Sequence, residues 1–75
     1  MNIYLISQDA NRGYDTFDSA IVVAESEEDA KTISPEVDSY FQWAWTEPEN
    51  VTAVLIGKAA KTQKRGVVCA SFNAG

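Results

Sequence analysis

A polar segment near the start of the chain carries the side chains best suited to binding chemistry. Residues 8–19 lie between two apolar runs, 3–7 and 20–24, and combine a guanidinium, amides, carboxylates, hydroxyls and aromatic rings. A guanidinium can bind phosphate through two parallel hydrogen bonds, and an aromatic ring can stack on a base. Amide and carboxylate groups can bind base edges or a ribose hydroxyl. The segment therefore predicts a site for a small nucleotide-like ligand.

The end of the chain is expected to complete this site. Residues 71–73 close the last apolar run, and antiparallel strand pairing would bring them beside the segment 8–19, while the basic residues of 58–65 would offset phosphate charge. In the alternative interpretation, the polar side chains of 8–19 hydrogen-bond their own backbone, as Asx turns do. The predicted ligand-binding residues are Gln8, Asn11, Arg12, Tyr14, Asp15, Thr16, Asp18, Ser71, Phe72 and Asn73.

The sequence lacks the residues on which most catalysis depends. It contains no histidine, which removes the commonest general base and metal ligand. Cys69 is the only cysteine and lies in an apolar run, which predicts a buried structural thiol. We therefore predict no enzyme activity, no cofactor and no metal. The alternative is a small hydrolase or a cation site that uses Asp15 and Asp18, although their spacing matches no calcium-binding loop.

The net charge of −5 is unevenly distributed along the chain. Residues 13–57 contain ten acids and one lysine, whereas residues 58–75 contain four basic residues and no acid. This balance argues against general nucleic-acid binding, which requires neutralisation of phosphates by Lys and Arg. It also supports a second hypothesis, in which the acidic region and its aromatic side chains occupy a basic groove on another protein.

Four apolar runs predict strands at 3–7, 20–24, 51–56 and 66–72. Residues 14–19 alternate aromatic or small residues with acids, so they form either an extended loop or the start of the second strand. The uninterrupted apolar run 20–24 predicts a strand buried on both faces. We predict an α+β fold of order β-β-α-β-β, in which strands one and two form a hairpin, strands three and four form a second pair, and one helix packs on the antiparallel sheet.

The predicted helix begins after Ser26, whose hydroxyl can cap the first turn, with Asp29 three residues later as in a capping box. Pro35 is expected to end it, because the residue before a proline avoids helical angles. Spacing does not decide whether the aromatic stretch within 34–50 is helix or strand. Trp43 and Trp45 are expected in the core or in an oligomer interface, and the alternative is a stacking platform for a ligand.

A chain of 75 residues predicts a single domain with a small core. Disulfides within the chain and a structural zinc site are ruled out by the composition, so we expect homo-oligomerisation to add stability; the alternative is a marginal monomer. No signal peptide or membrane-spanning run is recognisable, and the lone cysteine fits a reducing compartment. We therefore expect a cytoplasmic protein without a membrane partner.

Three segments resemble short uncharacterised proteins of bacteriophage and prophage genomes. The residues that carry the resemblance are Tyr4-Leu5-Ile6-Ser7-Gln8, Gly13-Tyr14-Asp15-Thr16-Phe17-Asp18-Ser19-Ala20 and Val68-Cys69-Ala70-Ser71-Phe72-Asn73-Ala74-Gly75. The resemblance implies a viral origin and a role against host defence. Our leading expectation is a non-catalytic sponge that sequesters a nucleotide-derived host immune signal. The alternative is an acidic inhibitor of a host defence or nucleic-acid-processing protein.

Overall fold

A computed structural model describes residues 1–11, 16–35 and 45–73. The element order β-β-α-β-β predicted from the sequence is present in these residues. The elements are β1 (Asn2–Ser7), β2 (Thr16–Ala24), α1 (Glu27–Lys31), a 3-10 turn (Pro48–Asn50), β3 (Thr52–Lys58) and β4 (Gly66–Asn73).

The four strands form one antiparallel sheet in the order β3-β1-β2-β4. The predicted hairpin of β1 and β2 is confirmed, with Leu5 opposite Ile21. The predicted pairing of strand three with strand four is wrong, because β3 pairs with β1 and β4 pairs with β2. The hairpin has a free edge on each side, and each edge accepts one later strand. The most deeply buried runs thus take the two central positions, and β3 and β4 become the edges.

The second strand begins earlier than its apolar run. Residues 16–19 belong to β2, where Phe17 lies opposite Phe72 and Ser19 opposite Ser71. The register shifts between Phe17 and Ser19, which marks a bulge at Asp18 and leaves this residue exposed. The last four residues of the polar segment 8–19 are therefore strand, which decides between the two interpretations of residues 14–19 for positions 16–19.

The core lies on one face of the sheet and includes one residue of α1. Alternate residues of the two central strands are buried, because successive side chains of a strand point to opposite faces. Trp45 is only 6% exposed, so its predicted core position is confirmed. Val22 and Val23 point to opposite faces of the sheet and are both fully buried, so the predicted burial on both faces is confirmed for this part of β2. Ile21 is half-buried. The core residues are Tyr4, Ile6, Ala20, Val22, Ala24, Ala30, Ile33, Trp45 and Val51.

The helix starts where the sequence predicted and ends sooner. The Ser26 hydroxyl accepts a hydrogen bond from the Asp29 amide at 3.1 Å, so the predicted cap is confirmed. The Asp29 carboxylate accepts from the backbone amide of Glu25 at 3.1 Å, one residue before the cap. The predicted end at Pro35 is wrong, because the Thr32 hydroxyl donates to the Asp29 carbonyl at 2.7 Å and closes the last turn. Ile33 is buried outside the helix.

Cys69 is exposed, so the predicted buried thiol is wrong. It lies on the edge strand β4, opposite Ile21 of β2 and in one row with Leu5 and Val54 across the sheet. Residues of an apolar run are buried only where another layer covers them, and an edge strand leaves much of its surface to solvent. Trp43 lies outside the described residues.

Candidate functional site

One end of the sheet brings together several described residues that the sequence assigned to ligand binding. β1 ends there at Ser7, where it lies opposite Ser19 of β2 and Thr52 of β3. The last residue of β4, Asn73, lies opposite Thr16 at the start of β2. The expectation that the backbone of the chain end reaches the polar segment is therefore met.

Gln8 is buried, and its amide is fully engaged in the connection between β1 and β2. Its Nε2 donates to the carbonyls of Asn11 at 2.7 Å and Phe17 at 2.8 Å, and its Oε1 accepts from the Asn11 amide at 2.8 Å. These bonds replace the hydrogen bonds to water that the three backbone groups would otherwise make. The Gln8 side chain thus holds the loop, as in the alternative in which the polar segment bonds its own backbone.

The other described candidates divide into buried and exposed groups. Thr16 is only 2% exposed. The side-chain amide of Asn11 donates to the Trp45 carbonyl at 3.1 Å and so joins the loop to the buried tryptophan. Asp18 and Ser71 are exposed, and the Asp18 carboxylate accepts from the Ser19 hydroxyl at 3.2 Å.

Five predicted binding side chains have no described geometry. Arg12, Tyr14 and Asp15 lie outside the described residues, and so does the predicted acid–base pair of Asp15 with Asp18. For Phe72 and Asn73 the structure describes the backbone in β4 and not the side chains.

A cleft lies where α1 ends beside the segment 45–50. It is open and has a volume of about 670 Å³. A second cleft of about 350 Å³ at the end of β1 is lined by Ser7, Gln8, Asp9, Asn50 and Thr52, so Asn50 lines both. The sequence did not predict the larger cleft, because the secondary structure of residues 34–50 could not be decided from spacing. Residues lining it are Ala10, Lys31, Thr32, Ser34, Trp45, Thr46, Glu47, Pro48 and Asn50.

The larger cleft has one positive and one negative side. Lys31 is the cation among the described residues that line it, and its Nζ lies 3.7 Å from a Glu27 carboxylate oxygen. On the other side, Glu47 lies near Glu49, and a hydrogen bond and charge repulsion between these carboxyls raise the pKa of Glu49. A bound anion would therefore be stabilised beside Lys31 and repelled beside Glu47.

The hydrogen-bonding groups of the cleft are hydroxyls and one amide. The Thr46 hydroxyl accepts from the Asn50 side chain at 3.3 Å and keeps its own proton for another acceptor. The Thr32 hydroxyl already donates to a carbonyl and accepts from Arg65 at 3.2 Å. Because Trp45 is almost completely buried, its ring provides no stacking surface for a base.

The basic segment 58–65 contributes less positive charge than the sequence predicted, because Arg65 is bound within the chain. Its Nε and Nη2 donate to the Asp29 carboxylate at 2.8–3.1 Å. This forked contact, with the Glu25 amide as a second donor, lowers the pKa of Asp29 to about 2. The guanidinium therefore joins the start of β4 to α1.

Comparisons of the chain with protein-family models, with curated proteins and with solved structures found no match. The described geometry and the sequence are thus the grounds for a functional proposal. Among the described residues, no helix has the length and apolar character needed to cross a membrane.

The arrangement is suited to holding a small polar molecule. A cleft of this volume falls within the range of small-molecule sites, and its lining offers hydroxyls, an amide and one charge of each sign. These groups can orient a ligand through hydrogen bonds, and the lysine can compensate one negative charge.

Proposed function

We propose that the protein binds a small nucleotide-like ligand in the cleft between the end of α1 and the segment 45–50, without transforming it. The observation that carries this proposal is the polar lining of this cleft, which has a volume of about 670 Å³. The cleft lies at the sheet end where the polar connection after β1 begins, and Asn11 and Ala10 link the two.

The two sides of the cleft would bind different groups of the ligand. Lys31 would bind a phosphate oxygen, in exchange for its long contact with Glu27. Thr46 and Asn50 would bind hydroxyls or base edges through their side chains. Glu47 would accept a hydrogen bond from a ribose hydroxyl and would repel a phosphate placed beside it. The ligand class is therefore a nucleotide-like molecule that places phosphate beside Lys31 and hydroxyls beside Glu47.

The proposed role is sequestration. The lining of the cleft contains no histidine and no cysteine, so it supplies hydrogen bonds and charge rather than a nucleophile with its base. Together with the resemblance to phage and prophage proteins, these features support a cytoplasmic protein that captures a nucleotide-derived immune signal of the host.

Calorimetric titration with a panel of cyclic dinucleotides, cyclic trinucleotides and ADP-ribose derivatives tests the proposal. We expect at least one member to bind, and Lys31→Met to weaken its binding about tenfold or more, the loss that removal of a charged hydrogen bond causes. Lys64→Met is the matched control, since Lys64 is exposed and does not line the cleft. Absence of binding across the panel would overturn the proposal, and so would equal affinities of Lys31→Met and the unchanged protein.

A second candidate function is inhibition of another protein through an acidic surface. It is favoured by the exposed acids around the start of α1, which include Glu25, Glu27 and Glu28. A basic host enzyme would bind this surface and release it at high salt. This candidate replaces the first if no small ligand binds and a stoichiometric host partner is lost in a Glu27→Lys/Glu28→Lys variant.

A further inference from the structure

The edge strand β3 exposes three large aliphatic side chains in a row. Val54, Leu55 and Ile56 are consecutive and are 49%, 58% and 53% exposed. β3 pairs with β1 on one side, and among the described residues no strand pairs with its other side. An edge strand with unpaired backbone groups and apolar side chains is a template for a further strand.

The charges at the two ends of β3 are opposite and unpaired. Glu47 and Glu49 precede the strand, whereas Lys58 ends it and Lys61 follows. Within the residues that the structure describes, the ion pairs are Lys31–Glu27 and Arg65–Asp29, so neither these acids nor these lysines take part in one. The pKa of Glu49 is raised by its hydrogen bond with Glu47 and by the charge of that carboxyl, so the two acids lie close together.

We propose that a second copy of this chain pairs with β3, antiparallel and about a two-fold axis near Leu55. In this arrangement Leu55 meets its own counterpart, and Val54 of each copy packs beside Ile56 of the other. The acidic beginning of each strand lies beside the basic end of the other. The same two-fold operation thus buries the aliphatic side chains and pairs both sets of charges.

The opposite edge of the sheet is less suited to this contact. β4 exposes Val68 to a similar extent, at 51%, but Val67 only to 38%. The segment 58–75 contains no acid, so antiparallel pairing through β4 places no acid of that segment beside the lysines of the other copy. A parallel arrangement of β3 strands would place acids beside acids. The charges therefore favour antiparallel pairing through β3.

Sedimentation velocity of the full chain at increasing concentration, with matched edge variants, tests this dimer. We expect a species of twice the 8.2 kDa chain mass. Leu55→Lys should weaken its formation about tenfold or more, because two lysines then meet at the axis. Val68→Lys changes an aliphatic side chain of similar exposure on the other edge and should leave dimer formation unchanged. A monomer at all concentrations overturns the proposal, and so does a dimer that Val68→Lys disrupts and Leu55→Lys does not.

A cross-linking experiment keeps the test decisive if Leu55→Lys fails to fold. The double variant Cys69→Ser/Leu55→Cys places the sole thiol at the proposed axis, and Cys69→Ser/Val68→Cys places it on β4. A short bismaleimide should link two copies of the first variant and not of the second. Linkage of only the second variant, or of neither, would contradict pairing through β3.

Discussion

Replacement of Gln8 by alanine should destabilise the fold. The side-chain amide makes three hydrogen bonds, two as donor to the carbonyls of Asn11 and Phe17 and one as acceptor from the Asn11 amide. Each such bond contributes about 1 kcal/mol net, and more where its loss leaves a buried group unpaired. The site is partly buried, so water can replace some of them, and we expect a loss of about 2–3 kcal/mol.

This loss is a large fraction of what a domain of this size can have. At 0.05–0.15 kcal/mol per residue, stabilities of about 4–11 kcal/mol are expected for such a chain. Urea unfolding followed by tryptophan fluorescence would measure the change in the free energy of unfolding, with an unchanged dependence on urea. Asn50→Ala is the matched control, because its exposed amide makes one long bond of 3.3 Å. It should cost about 0.5 kcal/mol or less.

The result separates a structural role of Gln8 from a role in ligand contact. If Gln8→Ala lost no more stability than Asn50→Ala, the hydrogen bonds would not hold the loop, and the amide would again be a candidate for direct binding. If stability falls as expected, weakened ligand binding in this variant reflects a disturbed loop.

Three further predictions concern the helix and the core. Ser26→Ala removes the hydroxyl that accepts from the Asp29 amide and should cost about 1 kcal/mol in urea unfolding, whereas the exposed Ser71→Ala should be nearly neutral. The Arg65 guanidinium and the Glu25 amide lower the pKa of Asp29 to about 2 from 3.8. The stabilisation from these contacts is therefore present above the unfolded pKa of 3.8 and is lost as the pH falls through about 2. Acid unfolding of Asp29→Asn should lack this loss, and an acid profile identical to that of the unchanged protein would contradict the prediction. Val22→Ala should cost roughly 2–3 kcal/mol by thermal or urea unfolding, because Val22 is fully buried, whereas Val68→Ala should stay within about 0.5 kcal/mol.

Local features of the fold could be predicted from the sequence because their causes are local. The cap at Ser26 depends on a hydroxyl and an amide three residues apart, and the hairpin joins neighbouring strands. The pairing partners of β3 and β4 could not be predicted, because both edges of the hairpin were open to either strand. The exposure of Cys69 follows from that choice, since an apolar run alone does not reveal whether its strand is central or at an edge.

The candidate site shows the same division between local and distant causes. The end of β4 lies beside the start of β2 because these strands pair antiparallel. The sequence predicted this proximity but not the pairing of β4 with β2. The larger cleft instead requires that Lys31, at the end of a short helix, approach Thr46 and Asn50, which follow a segment of undecided structure. The polar residues around Pro48 were the feature of the sequence that could have indicated this cleft. The internal bonds of Gln8 could not be distinguished from ligand-binding capacity, because a glutamine amide is suited to both.

Amide NMR of the labelled protein during titration with the tightest-binding nucleotide of the panel tests the binding cleft most directly. We predict chemical-shift changes that centre on Thr32, Thr46 and Asn50, with smaller changes in the loop that Gln8 holds. Changes confined to Leu5, Ile21 and Cys69, which border a shallow groove elsewhere on the sheet, would contradict the assignment of the cleft.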